Sequence, residues 1–310
     1  MNKLLAKKLH YLIKKYQTII IAKHVFPDWD AQGSALGLAN LIQDNYKGKT
    51  IYVVGERIDD DSSFPPDQLT LEALEKALLI VVDTANAERI DFENFAGCQE
   101  IFKIDHHLVV DDYGNYNLVD DTAIACTQII TLWAEKMKLK ISPLAAKNLY
   151  KGLVTDSGRF LFSGVNSQTF QAASILMENG VDLHQVQNEL YLQDLKVKQW
   201  QNYAFNKLVL TPKGVGYIVV GPSDYQPFNL EYDQVKNALY TMSGIKEIKI
   251  WFTVIEVDQE FKVSLRSRDY EVNQVARKFN GGGHKLASGA KVKNLAELPQ
   301  LIKALEALIV

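Results

Sequence analysis

Residues 99–112 read QEIFKIDHHLVVDD. The apolar run Ile101-Phe102-Lys103-Ile104 stops at Asp105-His106-His107, and the chain then turns acidic and loop-like. Four strand-forming residues leading straight into three polar ones describe a buried parallel strand that presents ligands at its carboxyl end. That edge is where open α/β sheets bind their ligands. The reading decides the fold if other strands end the same way, and they do.

Upstream, residues 18–23 (TIIIAK) form a strand-like run that Pro27 prevents from continuing as a central strand. His24, Asp28 and Asp30 follow in a strand-to-helix loop, before a helical pattern opened by Gly33-Ser34 and carrying Leu36, Leu38, Leu41 and Ile42. Taken alone, Asp28 and Asp30 read equally well as ligands or as a turn and an N-cap. Residues 50–54 give another strand, followed by an acidic loop. Its Asp59-Asp60-Asp61 run reads as a solvated segment, because no apolar strand positions those carboxylates. Residues 77–82 are apolar throughout, as a strand covered on both faces is, and end in Asp83. Residues 117–119 add an edge strand.

The first helix places Leu5, Leu9, Leu12 and Ile13 on one face, so it docks. Lysines scattered among its leucines rule out a signal peptide. Helical patterns at 123–137, 143–154 and 166–179 follow the last strand, the second running into Thr155-Asp156-Ser157-Gly158-Arg159. Residues 184–211 are helical but polar and read as a connector between a first domain, 1–183, and a second, 212–310. The second domain opens with a strand at 215–220 and a helix at 232–242. A hairpin of 248–257 and 261–268 and a helix at 272–279 follow. The stretch Gly281-Gly282-Gly283-His284 and a closing helix complete it. The expected class is α/β: an N-terminal parallel sheet with helices on both faces, and a smaller α/β domain with a mixed sheet.

With 310 residues the chain has room for two cores. Its net charge of −3 supplies no overall basic field for long duplex DNA. Cys98 and Cys126 form no CxxC pair, which suits two buried thiols in a reducing, cytoplasmic setting. No apolar run approaches the roughly 20 residues of a spanning helix, so no membrane partner is expected.

The strand-end residues form a constellation: His24, Asp28, Asp30, Asp83, Asp105, His106 and His107, with Asp156 from a helix end. Carboxylates and imidazoles without thiolate suit Mn²⁺ first, then Mg²⁺, Co²⁺ or Fe²⁺. The ligands are too many for one ion and suit two, which roughly 3.5–4 Å apart serve in-line displacement at phosphorus. Four carboxylates (Asp28, Asp30, Asp83, Asp156) cancel the charge of two divalent ions. Nearby cations then leave the site net positive and attractive to phosphate. Arg159, Arg266, Arg268, His284 and Lys285 are the candidates. The glycine run permits close approach of backbone to a ligand, and beside His284 it reads as a substrate loop.

His24-x-x-Pro27-Asp28-x-Asp30-x-x-Gly33-Ser34, Asp83-Thr84-Ala85, Asp105-His106-His107 and Thr155-Asp156-Ser157-Gly158 resemble, in order, the motifs of DHH phosphoesterases. The stretch GGGHKLASG resembles the signature of the associated DHHA1 domain. This resemblance implies that His24, Asp28 and Asp83 hold one manganese ion and that Asp30, Asp83, His106 and Asp156 hold the other. It further implies that a metal-bridging hydroxide attacks, that Asp105 orients the histidines, and that His107 faces the scissile phosphate. Arg266, Gly282, Gly283 and His284 would hold substrate from the second domain across a cleft, with Arg159 as a further phosphate ligand.

A compact two-domain chain resembles the nanoRNase and pAp phosphatase group. That group degrades RNAs of about two to five nucleotides to mononucleotides and dephosphorylates 3′-phosphoadenosine 5′-phosphate (pAp). The alternatives are a phosphodiesterase for cyclic-di-AMP or pApA and, in another class, a non-catalytic RNA-binding protein. Dimers are common among such proteins, so a homodimer is a further expectation of the resemblance.

Overall fold

A computed structural model of the chain describes residues 2–59, 63–64, 69–109 and 111–309. It divides into two compact units, residues 1–191 and 192–310.

The first unit opens with helix α1 (Lys3–Lys15), whose N-cap Asn2 accepts hydrogen bonds from the N–H groups of Leu4 and Leu5. Ala6, Leu9, Leu12 and Ile13 are fully buried along one stripe, the spacing a docked helix requires. Then come β1 (Thr18–Ala22), α2 (Trp29–Asn45), β2 (Thr50–Val53), the short α3 (Leu71–Glu75), β3 (Leu78–Val82), β4 (Glu100–Asp105) and β5 (Tyr116–Val119). The strands lie in the order β2-β1-β3-β4-β5, with every pairing parallel. From β1 the chain goes outward to β2 and returns to β3 on the other side. The winding therefore reverses between β1 and β3, which opens a crevice at their carboxyl ends.

Successive residues of β1 serve opposite faces. Ile19 and Ile21 join the core shared with α1, α2, α4 (Cys126–Lys136), α5 (Pro143–Asp156) and α6 (Ser167–Glu178). Ile20 and Ala22 join a smaller core with Leu79, Val81 and Ile90. That second face is covered by loops and by short 3₁₀ turns at Ala87–Arg89 and Phe95–Gly97. Cys98 packs there and is half-buried rather than buried, because a loop covers it; Cys126, under the long helices, is fully buried.

Helices α2 and α5 approach backbone to backbone. A Cβ on Gly33 would sit 2.4 Å from the Asn148 carbonyl oxygen, and one on Gly152 would sit 2.8 Å from Asp30 Oδ1. No larger residue fits either position, and the contact brings the end of α5 beside the start of α2. Helix α7 (Leu183–Tyr191) completes this unit.

The second unit contains α8 (Leu195–Phe205), β6 (Val209–Leu210), β7 (Val215–Val220), α9 (Pro222–Tyr225), α10 (Tyr232–Val235), β8 (Ile250–Val257), β9 (Glu260–Ser267), α11 (Asn273–Lys278), β10 (Gly282–His284), β11 (Ala287–Val292) and α12 (Leu298–Glu306). Its mixed sheet runs β10-β11-β9-β8-β7-β6, with β7 and β8 parallel and the other pairs antiparallel. Phe252, Val254 and Leu265 pack on one face with Val275 and Leu301. Ile218, Trp251 and Ile255 pack on the other with Trp200 and Met242.

Three details differ from the sequence reading. The polar stretch 184–211 is divided between the units, because Val186 and Trp200 are each buried in a different core. The helix expected at 232–242 tightens into a 3₁₀ segment over Lys236–Met242. The glycine stretch is an edge strand rather than a loop, since β10 pairs with β11 across a turn at Lys285-Leu286. Among the described residues no helix is long and apolar enough to cross a membrane.

Candidate metal centre

Three neighbouring parallel strands end at the crevice. β1 leads to His24, β3 to Asp83, and β4 to Asp105-His106-His107. The amino end of α2 adds Asp28 and Asp30, and the carboxyl end of α5 adds Asp156. Among the described residues, three sets have ligand atoms within 4.8 Å of one another: His24, Asp28 and Asp83; Asp30, His106 and Asp156; and Asp83, His106 and His107.

Asp83 is at the middle. It is 2% exposed and takes a left-handed backbone, φ 51°, at the strand end, a conformation that aspartate tolerates better than most residues. Its Oδ2 lies 3.6 Å from His24 Nε2. Its Oδ1 lies 3.3 Å from His106 Nε2 and 3.6 Å from His107 Nδ1. That buried Oδ1 has no hydrogen bond among the described residues, an orphaned acceptor of the kind a cation satisfies.

Asp28 caps the helix and still has one carboxylate oxygen turned to the crevice. Its Oδ1 caps α2 by accepting from the N–H groups of Asp30 and Ala31 at 3.0 Å, while Oδ2 faces His24 Nε2 at 3.9 Å. Asp30 is fully buried against the start of α4. There Cys126 N–H, Thr127 N–H and the Thr127 hydroxyl donate to it at 2.6, 3.0 and 2.6 Å. A carboxylate suits a helix amino end, and its Oδ2 still lies 3.8 Å from His106 Nε2. Asp156 Oδ2 lies 3.5 Å from the same nitrogen.

Asp105 stands behind the histidines. Its Oδ1 accepts from the N–H groups of His106 and His107 at 2.9 and 3.3 Å, and contacts His107 Nδ1 at 2.8 Å. His106 Nδ1 meets the Ala123 carbonyl at 3.3 Å, which turns Nε2 toward the carboxylates. Below lies Lys103, fully buried, with Nζ 3.3 Å from Asp105 Oδ2. It donates to the carbonyls of Ala85 and Asp111 at 2.8 and 3.1 Å.

The electrostatics show a cluster built for added positive charge. Burial would raise the Asp83 carboxyl, but the facing imidazoles of His106 and His24 hold it well below the usual carboxylate range. Burial opposes the charge of His106, but Asp83 together with Asp30 and Asp156 pushes its imidazole up to about 10. Burial, reinforced by the charge on Asp83, pushes Asp30 up to about 7. Burial and the charges of Asp30 and Asp83 push Asp156 well up. So many buried carboxylates cannot all ionise without cations. The donors are oxygen and nitrogen only: Cys126 gives its thiol hydrogen to the Ile104 carbonyl at 3.3 Å and is absent from all three sets. That donor set fits hard or borderline divalent ions.

The other sequence candidates are placed separately. Arg159 lies just beyond Asp156, in a turn whose φ values at Gly158, Arg159 and Phe160 are all positive, and its guanidinium sits 5.0 Å over the Tyr191 ring. In the second unit, Arg266 on β9 pairs with Ala287 of β11, and Gly282, Gly283 and His284 form β10. Arg268 Nη2 donates to the carbonyls of Ile245 and Ile248, which ties one end of its guanidinium to the backbone of its own unit. Lys285 pairs with Glu271 at 2.8 Å. Asp59 accepts from Gln32 Nε2 at 2.7 Å; Asp60 and Asp61 lie outside the described residues.

Sequence reasoning missed Lys103, the start of α4 and Arg89, whose Nη2 lies 3.3 Å from His24 Nδ1. Only Lys103 carried a signal, a lysine inside an apolar strand.

Residues 18–154 match the DHH family N-terminal domain, and residues 214–310 match the DHHA1 domain. The chain is 36% identical to a Streptococcus mutans protein described as a probable bifunctional oligoribonuclease and PAP phosphatase NrnA, over 96% of each chain. It is 33% identical to the Bacillus subtilis bifunctional oligoribonuclease and PAP phosphatase NrnA, again over 96% of each. Among solved structures, an exopolyphosphatase-related protein from Bacteroides fragilis superposes with a TM-score of 0.90 at 20% identity. The match covers 99% of this chain and 98% of that one, a likeness of fold.

Proposed function

The chain belongs to the DHH family and carries a DHHA1 domain, and from that premise we propose that it is a phosphoesterase that degrades very short RNA to mononucleotides and dephosphorylates pAp to AMP. The observation that carries this reading is the crowding of His24, Asp28, Asp30, Asp83, His106 and Asp156 into overlapping ligand sets around one orphaned carboxylate oxygen. The relatives over nearly the full length, named for both activities, supply the substrate class.

In this reading His24, Asp28 and Asp83 hold one divalent ion and Asp30, Asp83, His106 and Asp156 hold a second. Manganese is the first choice and magnesium or cobalt the alternatives. When bound, the ions supply water activation and stabilise charge at phosphorus. The chain's own residues do the rest. Asp83 would be shared by both ions, and the hydrogen bonds from the α4 amino end aim the Asp30 carboxyl. Asp105 locks both histidines, so that His107 faces the scissile phosphate in a fixed orientation. Arg159 adds positive charge on the same unit, and Arg266, Gly282, Gly283 and His284 contact substrate. Gly282 has ordinary φ and nothing within 4 Å of a Cβ position, so its own unit does not require glycine there; a closely approaching ligand does.

The test is turnover with manganese of an RNA dinucleotide, a pentanucleotide, a long RNA oligomer, pAp, pApA and cyclic-di-AMP. The expected result is fast hydrolysis of the two short RNAs and pAp. Preference for cyclic-di-AMP would replace the substrate assignment while keeping the metal centre. Turnover of none would overturn it.

A further inference from the structure

The rim of the metal centre carries two side chains that this mechanism leaves unused. Phe26 is the tip of the turn between His24 and Asp28 and is 82% exposed. Its φ of 54° places a bulky aromatic in the left-handed region, which such residues seldom enter. The turn is held from both sides. Val25 N–H donates to the Arg89 carbonyl at 2.8 Å, His24 bridges to Ile90, and Asp28 caps α2. The backbone therefore holds the ring out to solvent two residues from ligand candidates on either side.

Arg89 comes from the segment paired with that turn. Its guanidinium lies 3.3 Å from His24 Nδ1 and, among the described residues, forms no ion pair with a carboxylate. His24 presents Nε2 to Asp28 and Asp83, so as a metal ligand it carries its hydrogen on Nδ1 and donates to the Val25 carbonyl, 3.0 Å away. Nδ1 then has no lone pair to offer Arg89, and the guanidinium is left for an anion.

We propose that Phe26 and Arg89 form a nucleotide subsite on the rim, the ring stacking on a base and the guanidinium pairing with a phosphate of the same nucleotide. The proposal rests on the phosphoesterase reading and deepens it. Base–aromatic stacking accepts every base, because each has a π-face, and arginine matches phosphate with a planar fork. Recognition of this kind selects a nucleotide without selecting a sequence, which suits an enzyme acting on mixed RNA fragments.

The test is calorimetric titration of the manganese-loaded full chain with AMP, ribose 5-phosphate and adenosine, with pAp turnover in parallel. AMP should bind more tightly than ribose 5-phosphate. Phe26→Asn, which tolerates the left-handed turn, should lower AMP affinity roughly tenfold and leave ribose 5-phosphate unchanged; Phe26→Trp should restore it. Arg89→Gln should weaken AMP and ribose 5-phosphate alike, roughly tenfold, and leave adenosine unchanged, with Arg89→Lys between. Equal loss of AMP and ribose 5-phosphate in Phe26→Asn, or no loss of either, overturns the subsite. Absence of pAp turnover with the AMP preference intact counts against the phosphoesterase reading and supports the subsite.

Discussion

At the carboxyl edge of β1, β3 and β4, His24, Asp30, Asp83 and Asp105 are packed out of water and held by their neighbours. In the second unit, His284 is exposed, Arg266 is half-buried, and Gly282 has open space where a side chain would be. The first region is over-determined: Asp105 alone touches two backbone N–H groups, an imidazole and a buried lysine. The second is under-determined, a thin edge hairpin whose polar groups face outward. A site that must keep like charges together needs burial and many supports; a surface that meets a ligand only transiently needs room. The two regions are thus built with different local stability.

The sharpest way to break this comparison is Asp83→Ala. It removes the carboxylate shared by two of the three ligand sets, and turnover should fall on the order of a thousandfold or more, with manganese binding lost by calorimetry. Normal turnover would sink the proposed role of the strand-end cluster.

Lys103→Met asks whether the buried charges are mutually dependent. Asp105 would keep its histidine contacts but lose its buried cation, and breaking such a pair costs about 3–5 kcal/mol. Denaturant unfolding should show that loss; an unchanged midpoint would mean that the Lys103–Asp105 contact contributes nothing net.

The smallest effects belong to the hairpin and should separate two adjacent glycines. Gly283 has φ 134°, and a Cβ there would lie 2.7 Å from the Ala287 carbonyl oxygen. Gly283→Ala should therefore destabilise by about 1–3 kcal/mol. Gly282→Ala has space and ordinary φ, so stability should stay within about 0.5 kcal/mol while KM for short RNA rises. Equal melting losses in the two variants would show that the hairpin needs both glycines for folding.

Much of this was legible in the chain. The apolar runs that stop at His24, Asp83 and Asp105 announce parallel strands and their carboxyl ends, because a strand buried on both faces has no use for charge until it leaves the sheet. Asp28 was ambiguous for a sound reason: one carboxylate has two oxygens, and here one caps a helix while the other faces His24. The glycine stretch misled toward a loop, since glycine-rich sequence does not reveal that Ser288 and Ala287 lie across from it as strand partners.

By itself, then, the sequence determined the α/β class, the two-part organisation and the residue types gathered at the strand ends, all of which follow from local periodicity and from where periodicity ends. The tertiary structure alone decided what surrounds those residues. It set the α4 amino end on Asp30, Arg89 beside His24, and the glycine contact that carries Asp156 to Asp30. These pairings join segments as much as 122 residues apart, Asp30 and Gly152. They depend on close packing in three dimensions, and no local pattern along the chain encodes which distant backbone will supply the partner.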